Sequence, residues 1–145
     1  MMEYRRLTAK DLGMALNMNR DFREGFAEEK SLRAFLSDPD CWLFAAVREN
    51  RIIGFAYGYA LQRLNTERKM LYIHEVGVLD DCQRQGIGTR LMEELLKACE
   101  AEHFCKMFLT CYQNNFGANA LYRKAGGKLC EESQGNDTVY WFPIA

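Results

Sequence analysis

Val78-Leu79-Asp80-Asp81-Cys82-Gln83-Arg84-Gln85-Gly86-Ile87-Gly88-Thr89 is the stretch whose reading decides the fold. An apolar, β-branched and aromatic run, Met70 to Val78, delivers it, and a helical pattern from Arg90 to Glu102 follows at once. A glycine-containing turn between a strand and a helix start aims several backbone N–H groups at one point. The helix dipole adds roughly half a positive charge there. Such a point suits a phosphate or pyrophosphate, so the function turns on which phosphate-bearing molecule it holds.

Two common phosphate binders are excluded. A P-loop needs a Lys directly after its last glycine, and none follows Gly88. A dinucleotide fold needs three glycines early in a βαβ unit and an acid about 20 residues on. Here the third glycine is missing and the turn sits in mid-chain. An acyl-carrier pyrophosphate remains, with Gln83-x-x-Gly86-x-Gly88 suitably shaped. The same two glycines would also serve a tight strand-to-helix connection that binds nothing.

The bulk numbers narrow the class. The chain of 145 residues is one domain by size, spanning 1–145, and long enough for a real core. A hydrophobic share of 48% and a charged share of 27% are those of an ordinary globular protein. A net charge of −1 and pI near 6.1 argue against nucleic acid as a partner. No apolar run reaches the roughly 18 residues of a membrane span. Met1 to Arg6 lacks the apolar core of a signal peptide, so a cytoplasmic location is expected. Six cysteines without a CxxC pair, and only two histidines, point to reduced thiols and no metal site.

Along the chain, Glu3 to Leu7 reads as a strand, and Thr8 as the cap of a helix running to about Asn19, with Asp11 closing a weak capping box. A short helix is expected over Glu28 to Leu36, ending before Asp38-Pro39. Cys41 to Val47 and Ile52 to Leu61 form a hairpin through Glu49-Asn50-Arg51, with a bulge expected near Gly54 or Gly58. Arg63 to Lys69 reads as a polar loop before the Met70–Val78 strand. Lys106 to Tyr112 is a buried strand, and Asn115 to Ala125 a helix stopped by Gly126-Gly127. Lys128 to Glu132 and Thr138 to Pro143 are two last strands. The order is that of an α/β fold with a mixed sheet.

With a second motif, Asn115-x-x-Ala118-x-x-Leu121-Tyr122-x-Lys124-x-Gly126, the turn resembles the signature of the GNAT superfamily of acetyl-CoA-dependent N-acetyltransferases. That resemblance implies a mixed, mostly antiparallel central sheet flanked by helices. Its departures are Asp80 where proline is frequent, Gln83 where arginine is, and Gly127 where an aromatic is usual.

The resemblance also implies roles. The pantetheine arm of acetyl-CoA would lie along Val76, Gly77 and Val78, its pyrophosphate against the N–H groups of Gln83, Arg84, Gln85, Gly86, Ile87, Gly88 and Thr89. Asn115 and Ala118 would line the same cofactor site. Tyr122 would hydrogen-bond the departing sulfur, and a backbone N–H near Val76 would hold the developing oxyanion. An amine with a pKa of about 10 is almost wholly protonated at neutral pH and must lose a proton. Glu75, a carboxylate in an apolar strand, is the candidate base, expected to be covered, with His74 the alternative.

The stretch Tyr72-Ile73-x-Glu75 before the glycine turn is further similar to the small GNAT aminoglycoside 3-N-acetyltransferases (type I). A polycationic acceptor needs acidic walls, and Asp21, Glu24, Glu28 and Asp137, with Glu29, Glu131 and Glu132, are available. Another small amine, or a protein or peptide amine, stays open as the acceptor, as does a non-catalytic acyl-CoA-binding module. The family resemblance implies a homodimer joined through the last strands.

Overall fold

In the computed structural model, residues 1–22, 27–130 and 137–144 are described. Seven strands form one sheet in the order β1-β2-β3-β4-β5-β7-β6. They are β1 (Met2–Arg6), β2 (Cys41–Arg48), β3 (Arg51–Arg63), β4 (Thr66–Val78), β5 (Lys106–Tyr112), β6 (Lys128–Leu129) and β7 (Asp137–Pro143). Every neighbouring pair is antiparallel except β4 with β5. The expected mixed, mostly antiparallel sheet is therefore found.

Helices cover both faces, and the alternation of apolar residues sorts them. Leu43, Ala45, Val47, Ile52 and Phe55 face α1 (Leu12–Leu16) and α3 (Glu29–Ser37), which bury Leu12, Ala15, Leu32 and Leu36 against them. Trp42, Phe44, Ile53, Leu71 and Ile73 face the other way, onto Leu91, Met92 and Leu95 of α4 (Ile87–Ala101) and Tyr122 of α5 (Phe116–Lys124).

Three expectations are corrected. The first helix is broken: a 3-10 turn at Ala9–Asp11 precedes α1, and α2 (Met18–Asp21) follows separately. Gly13 and Asn17, both weak helix formers, stand in that span, and the Asn17 N–H donates to Met14 O three residues back. The Thr8/Asp11 capping box itself is present. Arg63 to Lys69 is no loop, because β4 begins at Thr66. Its polar side chains are satisfied across the sheet end: Arg68 donates to His103 O and Phe104 O, and Lys69 pairs with Asp40 at 2.7 Å. Third, the helix after the glycine turn starts at Ile87, earlier than its apolar period suggests.

Two irregularities position the site. In β3–β4, Tyr57 pairs with Glu75 and Gly58 with Ile73, leaving His74 as an extra, bulged residue. The parallel β4–β5 pairing stops at Ile73–Leu109, although β4 runs on to Val78 and β5 to Tyr112. Beyond that point the two central strands splay apart.

Candidate active site

The turn after β4 is built to leave amide hydrogens unpaired. Arg84 (φ 64°) and Gly86 (φ 79°) adopt left-handed backbone, and Gly86 is the cap of α4. Arg90 N–H donates to Gly86 O at 3.0 Å, the first bond of the helix ladder. The N–H groups of Ile87, Gly88 and Thr89, one turn ahead, have no acceptor within the helix. Gln83 holds the turn through its side chain, donating to Val78 O at 3.1 Å. Gly88 is where α4 meets α5, since a Cβ there would lie 3.4 Å from Leu121 Cδ2.

The splay opens a cleft of about 450 Å³. Ile73, His74, Glu75 and Val76 line one side, Leu109 to Tyr112 the other, and Asn115, Ala118, Tyr122 and Asp137 the end. The structure thus brings Glu75, Val76, Asn115, Ala118, Tyr122 and Asp137 into one space. Val76 and Val78 also pack on the core above α4. Gly77 must be glycine, because a Cβ would stand 2.7 Å from the Phe55 ring.

Tyr122 is only 6% exposed, yet its hydroxyl has no hydrogen-bond partner among the described residues. Burial, and then the neighbouring Cys111, pushes the phenol up to about 12. It therefore stays a neutral O–H donor at any physiological pH. Its ring lies 5.8 Å from that of Tyr140, whose hydroxyl donates to buried Asn119 Oδ1 at 2.6 Å. Asn119 Nδ2 in turn donates to Tyr112 O and Asn115 O, tying the end of β5 to α5. Asn115 caps α5, accepting from Ala118 N–H at 3.1 Å.

Glu75 is exposed at the cleft rather than covered. The bulge is the reason: it breaks in–out alternation, so His74 and Glu75 both face outward. Cross-strand partners share a face, which puts Glu75 beside Tyr57. There, burial and then the Glu75 charge raise the Tyr57 phenol above its ordinary value. Tyr57 belongs to a second hollow of about 370 Å³ under α3, lined also by Met18, Glu28, Leu32, Phe35 and Tyr59. Phe35 stands 5.9 Å from Tyr57 and 5.8 Å from Tyr59. His74 bridges hollow and cleft: its ring is 5.5 Å from Tyr57, and its Nδ1 is 3.0 Å from the Tyr72 hydroxyl.

Of the expected acidic wall, Glu28 lies in the hollow and Asp137 in the cleft. Asp21 lies in neither. Its side chain is 6% exposed and paired with Arg20 at 3.1 Å and Arg51 at 3.3 Å. Burial would raise its carboxyl, but those two arginines outweigh burial and hold it below the ordinary value. It has no charge to spare for a ligand. Glu24, Glu131 and Glu132 lie outside the described residues.

A family model described as the acetyltransferase (GNAT) family matches residues 11–127. The chain belongs to that family. A stretch of 72 residues, 48% of this chain, is 35% identical to the probable N-acetyltransferase san of Drosophila melanogaster, covering 39% of that relative's length. Among solved structures, an aminoglycoside acetyltransferase from an uncultured soil metagenomic sample, in complex with sisomicin, superposes with a TM-score of 0.83 at 23% identity, over 92% of this chain and 93% of the other. NAA60 of Arabidopsis thaliana in complex with acetyl-CoA gives 0.76 at 19% identity over 99% of each chain. At such identities these two likenesses speak to the GNAT fold alone.

Sequence reading missed Asn119, Cys111 and the Phe35/Tyr57/Tyr59 wall. The Tyr57-x-Tyr59 alternation on one strand was a usable signal for the wall. Asn119 stands three residues before Tyr122 on one helix, a polar residue on a buried face, and that was a signal too.

Proposed function

We propose that this GNAT protein transfers the acetyl group of acetyl-CoA to a primary amine of a small polycationic molecule, an aminoglycoside, at its 3-amino group. One observation carries the reading. Glu28, Glu75 and Asp137, from three separate parts of the chain, ring the cleft and hollow without a paired cation among the described residues. The ion pairs among the described residues use Glu3, Asp11, Asp21, Asp40 and Glu94 instead. Unpaired carboxylates beside aromatic faces suit ammonium groups twice over, by charge and by cation–π attraction. A solved GNAT-fold neighbour, an aminoglycoside acetyltransferase in complex with sisomicin, supports this reading.

The donor site fits acetyl-CoA. The amides from Arg84 to Thr89 suit its pyrophosphate, the expected Gln83 N–H being turned instead to Asp80 O at 3.4 Å. Val76 to Val78 and Asn115 suit its pantetheine arm, and the unpartnered Tyr122 hydroxyl its sulfur. Acetyl-CoA supplies an activated thioester. Glu75 takes a proton from the acceptor amine so that nitrogen can attack, and Tyr122 donates a hydrogen bond to the leaving sulfur. A thiol of pKa about 8.5 leaves as a thiolate that such a bond stabilises, without full proton transfer from the phenol. A backbone N–H near Val76 is the oxyanion donor. The same reading places the protein in the cytoplasm and, through its apolar last strand, in a homodimer.

A second reading is a peptide N-terminal amine, favoured by the apolar part of the hollow (Met18, Leu32, Phe35). Coenzyme A release against aminoglycosides, polyamines and peptides with apolar first residues separates them. Turnover of an aminoglycoside, with the 3-N-acetyl product identified by NMR, is expected. Turnover of peptides alone would replace the first reading by the second.

A further inference from the structure

The described cleft holds one nucleophile that the acetyl-transfer reading does not use. Cys111, on β5, lines it with Tyr122 and Asp137 and packs against the core on the α4/α5 face. Its proximity to Tyr122 is felt electrostatically by the phenol. Tyr122 is the group that marks where the coenzyme's sulfur ends: a residue 6% exposed that lines the same cleft, its hydroxyl without a partner among the described residues. A thiol and a thiol-binding hydroxyl therefore share one small space.

We propose that Cys111 is a modification site for coenzyme A itself: with coenzyme A disulfide it forms a mixed disulfide that fills the donor site and stops acetyl transfer. The inference rests on the donor-site reading above. In the step, the Cys111 thiolate attacks one sulfur of the disulfide, a new S–S bond forms and the old one breaks. The second coenzyme A leaves as a thiolate and takes up the proton that Cys111 lost. One disulfide replaces another, so no further oxidant is required. A thiol such as dithiothreitol or glutathione reverses it by the same route.

The chemistry also sets the selectivity. Burial holds the Cys111 thiol above its ordinary value; Arg123 opposes it, and Asp137 adds to it more weakly. A collision with a disulfide free in solution thus meets mostly thiol, the unreactive form. A disulfide already docked by its pyrophosphate on the Gly86 turn presents its sulfur at high effective concentration, which offsets that scarcity. Cys41, Cys105 and Cys130 are also partly exposed, but none lines this cleft.

The test is intact-mass and peptide-mass mapping after incubation of the full chain with coenzyme A disulfide or glutathione disulfide, with and without acetyl-CoA. One coenzyme A adduct is expected, on Cys111, forming at least about tenfold faster than the glutathione adduct. Acetyl-CoA should block it, and dithiothreitol should remove it while restoring activity. Cys111→Val, checked for an unchanged melting curve, should lose the adduct. If that variant does not fold, blocking by acetyl-CoA and the mapped position in the native chain decide. Adducts spread over Cys41, Cys105 and Cys130, or labelling indifferent to acetyl-CoA, would overturn the proposal. Calorimetric binding of acetyl-CoA, measured in parallel, separates the two failures: binding without Cys111 labelling sinks this inference alone, and no binding sinks the donor site with it.

Discussion

Gly58 lies against the main chain of Tyr72 so closely that a Cβ on it would stand 1.8 Å from the Tyr72 carbonyl oxygen. At this crossing β3 slips by one residue against β4 and His74 becomes the bulge. The glycine therefore does more than fit. It permits the approach of two strands whose misregister turns Glu75 toward the cleft.

Gly58→Ala should accordingly cost stability and activity together. The obstructing atom is backbone, so no rotamer change relieves the clash. A loss of about 1–3 kcal/mol, the usual range for overpacking, is expected by urea unfolding. Gly117→Ala is the contrast: a Cβ there meets nothing within 4 Å, on helix α5. It should stabilise by up to about 1 kcal/mol. Equal unfolding midpoints for the two variants would remove Gly58 from the account of the bulge.

Tyr122→Phe keeps the ring on Tyr140 and removes only the hydroxyl. A hydrogen bond to a charged partner contributes about 1.5–3 kcal/mol, which is roughly a 10- to 100-fold fall in kcat. The KM for the amine should not move. The phenol, pushed up to about 12 when folded, should be missing from the phenolate absorbance that other tyrosines develop near pH 10. Its contribution to stability is complete below the unfolded value of about 10 and is lost as pH rises from there through the folded value. A wild-type titration that exceeds that of Tyr122→Phe by one tyrosine near pH 10 would show the hydroxyl to be ordinary.

Glu75 and Glu28 should separate by kinetic signature. Glu75→Gln removes the proton acceptor, and kcat should fall by about 10²- to 10⁴-fold at neutral pH. Activity should recover as pH approaches the amine's own pKa of about 10, where the free base forms unaided. Glu28→Gln, in the hollow beside Phe35 and Tyr57, should raise the acceptor KM and leave kcat in place. A Glu75→Gln variant with an unaltered pH–rate profile would pass the role of base to His74.

The glycine turn and the Asn115–Gly126 helix were legible in the sequence because both depend on local rules: glycine at left-handed φ, a capping Asn, a helical period. The donor half of the site followed from them. The acceptor half did not. The bulge expected near Gly54 or Gly58 does fall at Gly58, but the glycine alone did not say which residue of β4 would be displaced, and that one-residue slip is what exposes Glu75. Asp21 looked like one more acidic wall residue, but Arg51, which neutralises part of its charge, is thirty positions away in the chain. Tertiary partners decide such residues, and a linear pattern does not reveal them.

Asn119 and Tyr140 show how that tertiary support can be tested. The Tyr140 hydroxyl, fully buried, donates to Asn119 Oδ1 at 2.6 Å, while Asn119 Nδ2 holds the carbonyls of Tyr112 and Asn115. Asn119→Ala strands a buried hydroxyl and releases the loop that carries the α5 cap. It should cost about 1–3 kcal/mol for the orphaned group alone. Tyr140→Phe removes the donor and leaves Asn119 its carbonyl bonds, so it should cost less. Once Phe stands at 140, Asn119→Ala no longer orphans anything on that side. The double variant should therefore be more stable than the sum of the single losses predicts, with a coupling of about 0.5–3 kcal/mol in the unfolding cycle. Because Tyr140 also backs the Tyr122 ring at 5.8 Å, kcat should fall with Asn119→Ala and recover in part in the double variant. Strict additivity in both readouts would mean that Asn119 supports α5 but not the catalytic tyrosine.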